Sequence, residues 1–380
     1  MRSVFSKRAM LGGAVAATAL SGLVGASVAS SSSGVSIPPD PIKSTVAKLK
    51  GLKPDARTAK LLALAKAEGG QVNLYTSLSS TVVKPLQDAW KAEYPDVTLN
   101  LYRASSEDVS NRFLSESSAG TKGADVVETN GTTMLIYQHK KNLLVPYQKS
   151  PFAAVMGKNY RFDTWTADRV EKFIVAWNTN LVNDPPKSFQ DLADPKWKGK
   201  LSMEPTDADW YAAMREYFTT KAKPKMTPAA VDALFKKIAA NSQLISGHTN
   251  QINALAAGQV QVVVTGHAQA TEQLQAKKAP IAFTPFVTPV IERPQGIGVS
   301  YLAQHPAGAL LLYDWLLRGK TADGKDAGQI TLQKNGVEPA NPYYPDSAFS
   351  SNPLTYKMNV RTVVANWAAA NKTYSAVVGG

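Results

Sequence analysis

The sequence predicts an α/β protein built as two discontinuous lobes. Three observations carry that prediction. Strand and helix patterns alternate from Gly70 to Asn130, the alternation resumes from Lys200 to Phe286, and long extended runs separate the two blocks. Alternation of this kind implies largely parallel sheets, whose ligands sit outside the carboxyl ends of the strands.

In the first block, Gln71 to Ser79 (QVNLYTSLS) is β-rich and its hydroxyl cluster leads into a helical pattern over Val82 to Tyr94. Val97 to Tyr102 repeats the strand and Ser105 to Ser117 the helix, with Ser105 as cap. Ala124 to Val127 is a third strand, ending in Glu128-Thr129-Asn130-Gly131. Further on, a helix is expected near Thr133 to Lys140, then two β-rich pieces, Tyr160 to Thr166 and Lys172 to Asn178. Ser188 caps a short helix before Asp194-Pro195.

The second block reads strand Lys200 to Glu204, a helix opening at Pro205 to Trp210, helix Pro228 to Ala240 and strand Gln243 to Ser246. Helix Gln251 to Ala257, strand Val260 to Thr265, helix Ala268 to Lys277 and strand Ile281 to Phe286 complete it. Val287 to Tyr301 is extended and Pro-punctuated, as a return crossing should be. Helices over Pro306 to Leu317 and Lys325 to Lys334, a loop Val337 to Pro345 and a final helix from Pro353 through Ala370 follow. The expected division is a signal peptide over residues 1–29, a leader and helix over 30–69, lobe 1 over 70–178 plus 288–380, and lobe 2 over 179–287.

Composition narrows the function classes. The 380 residues suffice for two domains with separate cores, and the absence of cysteine removes disulfides, thiolate metal sites and cysteine nucleophiles. A basic start, a run of small apolar residues and Ser27-Val28-Ala29 read as a secretory signal without a lipid-anchor cysteine, so a periplasmic location is expected. The net charge is +13, and removing Arg2, Lys7 and Arg8 with the signal leaves +10. The lysines are spread without an Arg-rich, aromatic-interleaved stripe, so no nucleic acid partner is expected. No zinc spacing links His139, His248, His267 and His305, and neither a nucleophile elbow nor a metalloprotease helix is present. Arg318-Gly319-Lys320-Thr321 mimics the end of a phosphate-binding loop, but Asp314 stands where that motif needs glycine and a helix precedes it.

The segments LALAKAEGGQVNLYTSLSS, ADVVETN, DLADPKWKGKLSMEPTDA, ALAAGQVQVVVTGH and PAGALLLYDWLL resemble the periplasmic solute-binding proteins of ABC importers, in the branch of ferric-iron binders and their organic-anion-binding relatives. The resemblance covers the chain from about Asp55 onward. It implies a two-lobed periplasmic-binding-protein type II fold with a two-crossing hinge, a solute held in the interlobe cleft, a membrane permease as partner, and no enzymatic activity. Ferric binders of the branch carry two adjacent tyrosines that match Ala268 and Gln269 here, and their His and Glu ligands align with Leu78 or Ser79 and with Asn130. Hard ferric iron needs anionic oxygen donors, so no metal and no cofactor is expected. Tyr343-Tyr344 in the late loop is read as structural.

Hydrogen-bonding groups at helix starts remain as the candidate site. These are Thr76, Ser77 and Ser79 before the first helix, Asn130, Gly131 and Thr132 at the third, and Thr206 and Asp207 in the second lobe. His248 and Thr249 match the family's anion-contacting loop, while Gly266 and His267 close a strand. Helix N-termini suit phosphonate, sugar-phosphate or carboxylate oxygens, and the same hydroxyls also suit plain capping. Arg103 and Arg293 are candidate guanidinium forks for an anion, and Trp210 a candidate stacking surface. Asp207, Asp209 and Glu292 leave a polyamine or thiamine-like cation open; a ferric chelate is a further alternative, and a secreted hydrolase the runner-up class. The expected unit is a monomer that closes over its solute at crossings near Thr179 and Val287.

Overall fold

The computed structural model describes residues 41–147, 150–343 and 354–379. The expected signal peptide, residues 30–40 of the leader, Tyr344 and Pro353 lie outside the described residues. The chain opens with α1 (Pro41–Ala47) and α2 (Pro54–Ala67). Gly69 and Gly70 follow at φ of 101° and 62°, a left-handed turn that glycine adopts without strain, and deliver the chain into the sheet.

The alternation expected from Gly70 to Asn130 is present as β1 (Gln71–Thr76), α3 (Ser80–Glu93), β2 (Thr98–Arg103), α4 (Ser106–Ser118) and β3 (Val126–Asn130), followed by α5 (Gly131–Gln138). β1 lies between β2 and β3 and is parallel to both. The Ser105 hydroxyl accepts from the Asp108 amide, and Asn130 Oδ1 accepts from the Thr133 amide at 2.8 Å, so both helices are capped by the residue before them.

A single strand, β4 (Trp165–Asn178), replaces the two pieces expected here, and all of its fourteen residues are buried. The charged run Asp168-Arg169-Glu171-Lys172 conceals it in the sequence. Those side chains are buried because each meets an opposite charge or a cross-strand neighbour: Arg169 pairs with Glu128, Lys172 with Glu338, and Glu171 faces His267. Two short 3-10 turns, Asp191–Ala193 and Pro195–Trp197, stand where a helix was expected after Ser188.

The second block comprises β5 (Leu201–Met203), α6 (Ala208–Thr220), α7 (Pro228–Ala240), β6 (Ser242–Leu244), α8 (His248–Ala256), β7 (Val262–His267), α9 (Ala268–Ala276) and β8 (Ile281–Ala282). β9 (Val290–Val299) returns the chain, and α10 (Pro306–Leu317), α11 (Gly328–Lys334) and β10 (Glu338–Pro339) follow. α10 is buried along its length from Ala307 to Leu317, which fits its all-round apolar sequence. Its one acid, Asp314, receives the Arg57 side chain at 2.7 Å.

Hydrogen bonding joins the strands in the order β2-β1-β3-β9-β4-β7-β5-β6. β3, β9, β4 and β7 are mutually antiparallel neighbours in that series, while β1 with β2 and β3, and β5 with β6 and β7, are parallel. The extended runs therefore lie side by side in the middle of the sheet, with a parallel block on either flank. Pro294 falls on β9 between the part that pairs with β11 (Thr355–Lys357) and the part that pairs with β3, where its missing N–H is tolerated.

The expected final helix is instead β11, α12 (Val360–Ala365) and α13 (Trp367–Val378). α12 packs on α5 and α6, and α13 on α6 and α7. A segment that the sequence assigns to lobe 1 thus lies against helices that it assigns to lobe 2.

Candidate functional site

The carboxyl ends of the parallel strands and the starts of α3 to α6, α8 and α9 surround a cavity of 810 Å³. Its floor comes from the two central strands. Residues two apart on a strand share a face, and Arg169 and Glu171 on β4 stand opposite Gln295 and Arg293 on β9; all four line the cavity.

The floor is densely charged. Arg169 is paired with Glu128 behind it, and burial lowers its pKa to about 9, with Glu171 opposing and Arg293 adding to the shift. Burial raises the Glu171 carboxyl against the pull of Arg169, Arg293 and His248. Arg293 places Nη1 3.1 Å from both oxygens of Asp209 and 4.0 Å from Asp207, with its guanidinium 4.6 Å from the Phe173 ring centre. Burial works to lower Arg293, and the carboxylates of Asp209, Asp207 and Glu171 outweigh it.

One wall is a histidine stack. The rings of His248 and His267 lie 3.6 Å apart, and Phe173 meets both edge-on. His248 Nδ1 is 3.1 Å from the Thr265 carbonyl and Nε2 is 3.4 Å from Asp207. Both neighbours are acceptors, which favours the doubly protonated ring; burial alone would lower its pKa, but Asp207 raises it. His267 is pushed well below its ordinary value by burial and by the positive charges of His248, Arg293 and Arg169. Beside them Glu204 accepts from the Gly247 amide at 2.5 Å and from the Thr206 hydroxyl at 3.0 Å, and burial followed by Asp207 raises its carboxyl.

Of the residues singled out in the sequence, Ser77, Ser79, Arg103, Asn130, Thr132, Thr206, Asp207, His248, Thr249, His267 and Arg293 line this cavity. Asp209 lines it as well, whereas Glu292 accepts from the Tyr160 hydroxyl at 2.5 Å outside it, and four more are placed elsewhere. The Thr76 hydroxyl donates to Glu128 and accepts from the Leu78 amide, behind the wall. Gly131 is a close-approach position, since a Cβ there would stand 2.6 Å from the Pro294 carbonyl oxygen. Gly266 packs against Ile252 and Ile174. Trp210 is 1% exposed among Phe173, Phe189 and Phe235, so it serves the core and not a stacking surface.

Sequence reasoning missed Arg169, Glu171, Glu204 and Gln295, the serines 105, 106 and 110, and Trp367, Asn371 and Ser375. The serines could have been found, because they stand on the first turns of a helix that follows a strand. The α13 residues carry no such signal. Gln269, at one of the two positions matched to the ferric binders' tyrosines, lines the cavity, while Ala268 is buried beside it. Tyr343 is 74% exposed. Among the described residues no group of three or more His, Asp or Glu side chains is arranged to hold a metal ion.

Five buried polar atoms on cavity-lining residues have no partner among the described residues: Asp207 Oδ2, His267 Nε2, Gln269 Nε2, Arg293 Nε and Gln295 Oε1. Buried polar groups are ordinarily satisfied, so both donors and acceptors stand ready for a hydrogen-bonding guest.

The chain is 26% identical over 207 residues to the Fe(3+)-binding periplasmic protein of Serratia marcescens, a match that spans 53% of this chain and 58% of that relative. It superposes on the apo ferric ion-binding protein A of Pasteurella haemolytica with a TM-score of 0.64 at 16% identity, covering 81% of this chain and 98% of the other. For the periplasmic binding protein AfuA of Actinobacillus pleuropneumoniae, solved with fructose-6-phosphate bound, the TM-score is 0.63 at 18% identity, with coverage of 80% and 99%. These likenesses establish the type II periplasmic-binding-protein fold. The family model for bacterial extracellular solute-binding proteins matches residues 75–323, more than half of the sequence, and the chain belongs to that family.

Proposed function

We propose that the protein captures a small anionic solute of the sugar-phosphate class in this cavity and delivers it to the permease of an ABC importer. The observation that carries this reading is the division of the cavity. On one side the starts of α3, α4 and α5 present Ser77, Ser79, Arg103, Ser105, Ser106 and Asn130, a guanidinium and hydrogen-bond donors at helix N-termini, which suit the oxygens of a phosphate. On the other side Glu204 and Asp207 offer carboxylate acceptors, which suit hydroxyl donors. A sugar phosphate supplies both kinds of group, and fructose-6-phosphate occupies the structurally similar AfuA. A simple phosphonate or carboxylate would satisfy the first side and leave the second facing acceptors.

Capture would proceed by closure about β4 and β9, with the crossings near Thr179 and Val287 as hinges, in a monomeric unit working outside the inner membrane. No helix among the described residues is long and apolar enough to span a bilayer. Closure follows only if the solute binds the closed form more tightly than the open one. A second reading, an amine-bearing solute, is favoured by the side-by-side carboxylates of Glu204 and Asp207. Free ferric iron is not supported by the donor set, although a ferric chelate shares the anionic character. A thermal-shift screen over hexose phosphates, phosphonates, carboxylates, putrescine and ferric citrate tests the reading. A bound hexose phosphate at about a hundred times its Kd should stabilise the fold by about 2.7 kcal/mol, without being consumed, whereas consumption would point to the hydrolase. No shift with any hexose phosphate would overturn the sugar-phosphate reading.

A further inference from the structure

The C-terminal helix α13 adds a wall that neither sheet flank supplies. Trp367, Asn371 and Ser375 follow one another at intervals of four, so they share a helix face, and all three line the cavity. The helix is anchored there: the Tyr374 hydroxyl donates to the Glu204 carbonyl at 2.5 Å, and the Tyr374 ring lies 5.5 Å from that of Tyr211 on α6. The chain has seven tryptophans. Six of them, Trp90, Trp165, Trp177, Trp197, Trp210 and Trp315, are 1–4% exposed and belong to the core. Trp367 is half-buried and, among the described residues, is the one Trp, Tyr or Phe that lines the cavity. Ile136, the other large apolar side chain on the wall, stands on α5, against which α12 packs. A cavity lined mostly by charged and hydrogen-bonding groups thus has one indole face, on the same helix face as the amide of Asn371.

We infer that Trp367 is the platform on which the ring of a cyclic sugar phosphate lies, with Asn371 bonding the ring hydroxyls, so that α13 selects ring-bearing solutes over open-chain ones. This rests on the sugar-phosphate reading and goes beyond it by naming what reads the sugar. A sugar ring presents its C–H face to an indole while its hydroxyls point outward to polar groups. The open-chain polyol phosphate of the same length has no such face.

The test uses glucose 6-phosphate and sorbitol 6-phosphate, by calorimetry and by acrylamide quenching of tryptophan fluorescence. In the wild type, glucose 6-phosphate should bind about tenfold more tightly than sorbitol 6-phosphate, the scale of one stacking contact. Saturation with it should remove the quenchable fraction of the emission, because Trp367 is the accessible tryptophan. Trp367→Ala should bring the two affinities together by weakening glucose 6-phosphate alone, and Trp367→Phe should retain most of the preference. Should Trp367→Ala not fold, the wild-type quenching and Trp367→Phe still decide. Unchanged quenching on saturation, or a preference that survives in Trp367→Ala, would overturn the platform and leave the sugar-phosphate reading standing. Failure of both phosphates to bind the wild type would overturn the two together.

Discussion

Arg293 on β9 holds both carboxylate oxygens of Asp209 on α6 at 3.1 Å through one guanidinium nitrogen, and the Thr132 hydroxyl on α5 donates to the same carboxylate at 2.8 Å. One acid therefore ties together the return crossing, the first helix of the second block and the last helix of the first. Arg293 and Asp209 are 5% and 4% exposed, so each is largely withdrawn from water and depends on the other for its charge. Asp209→Asn should destabilise the protein by about 3 kcal/mol, the scale for removing one member of a buried ion pair. Urea denaturation measures this, and a loss of under about 1 kcal/mol, as for a solvated pair, would show that Arg293 finds another partner.

Arg103 and Asn130 both line the cavity, yet their substitutions should behave differently. Arg103 is exposed, and its Nε donates to the Leu78 carbonyl at 2.9 Å. Arg103→Ala should lower affinity for glucose 6-phosphate by about tenfold or more, the loss of a charge-assisted bond, and leave stability within about 0.5 kcal/mol. Asn130 also caps α5, so Asn130→Ala should weaken binding and remove about 1 kcal/mol of stability besides. Calorimetry beside denaturation separates the two effects, and unchanged affinity in both variants would place the phosphate elsewhere.

Gly131 reads in the sequence as part of a ligand-binding turn, but its role is steric. A methyl group there would sit 2.6 Å from the Pro294 carbonyl oxygen and 3.2 Å from the Trp165 ring. Backbone cannot yield as a flexible side chain can, so Gly131→Ala should cost about 1–3 kcal/mol by overpacking. A variant as stable as the wild type in urea, with binding lost, would return Gly131 to the ligand.

The contrast between Asn130 and Gly131 shows what the sequence could disclose. Strand, helix and the cap at Asn130 follow from local pattern, and so the alternation and most residues on the strand-to-helix turns were legible. Gly131 and Trp210 were misread because their roles depend on partners far along the chain, Pro294 for one and Phe235 for the other. Arg169 and Glu171 were missed for a related reason. A charged run inside a strand looks like surface until its partners, the Glu128 carboxylate and the His267 ring, arrive from other strands. Trp367 had no local signal at all, since nothing in the last helix reveals that it folds back over the cavity.

His267 gives the site a pH signature. Its pKa is held well below 6.5 by burial and by His248, Arg293 and Arg169, and the ring keeps its Nδ1 3.4 Å from Glu171. A depressed folded-state pKa means that the unfolded chain binds the proton first, so the stability that His267 contributes is present above about 6.5 and is lost as pH falls toward the folded value. His248 runs the other way: its raised pKa contributes below about 6.5 and fades as pH rises through the folded value. Wild-type stability alone would mix the two, and the raised carboxyls of Glu171 and Glu204 add their own slopes. The difference between wild type and His267→Gln isolates one group, because glutamine cannot take up the proton. Wild-type Tm minus variant Tm should therefore shrink steadily from pH 7 to pH 5. A difference that stayed flat or grew over that range would mean that the His267 ring is not held neutral between the arginines.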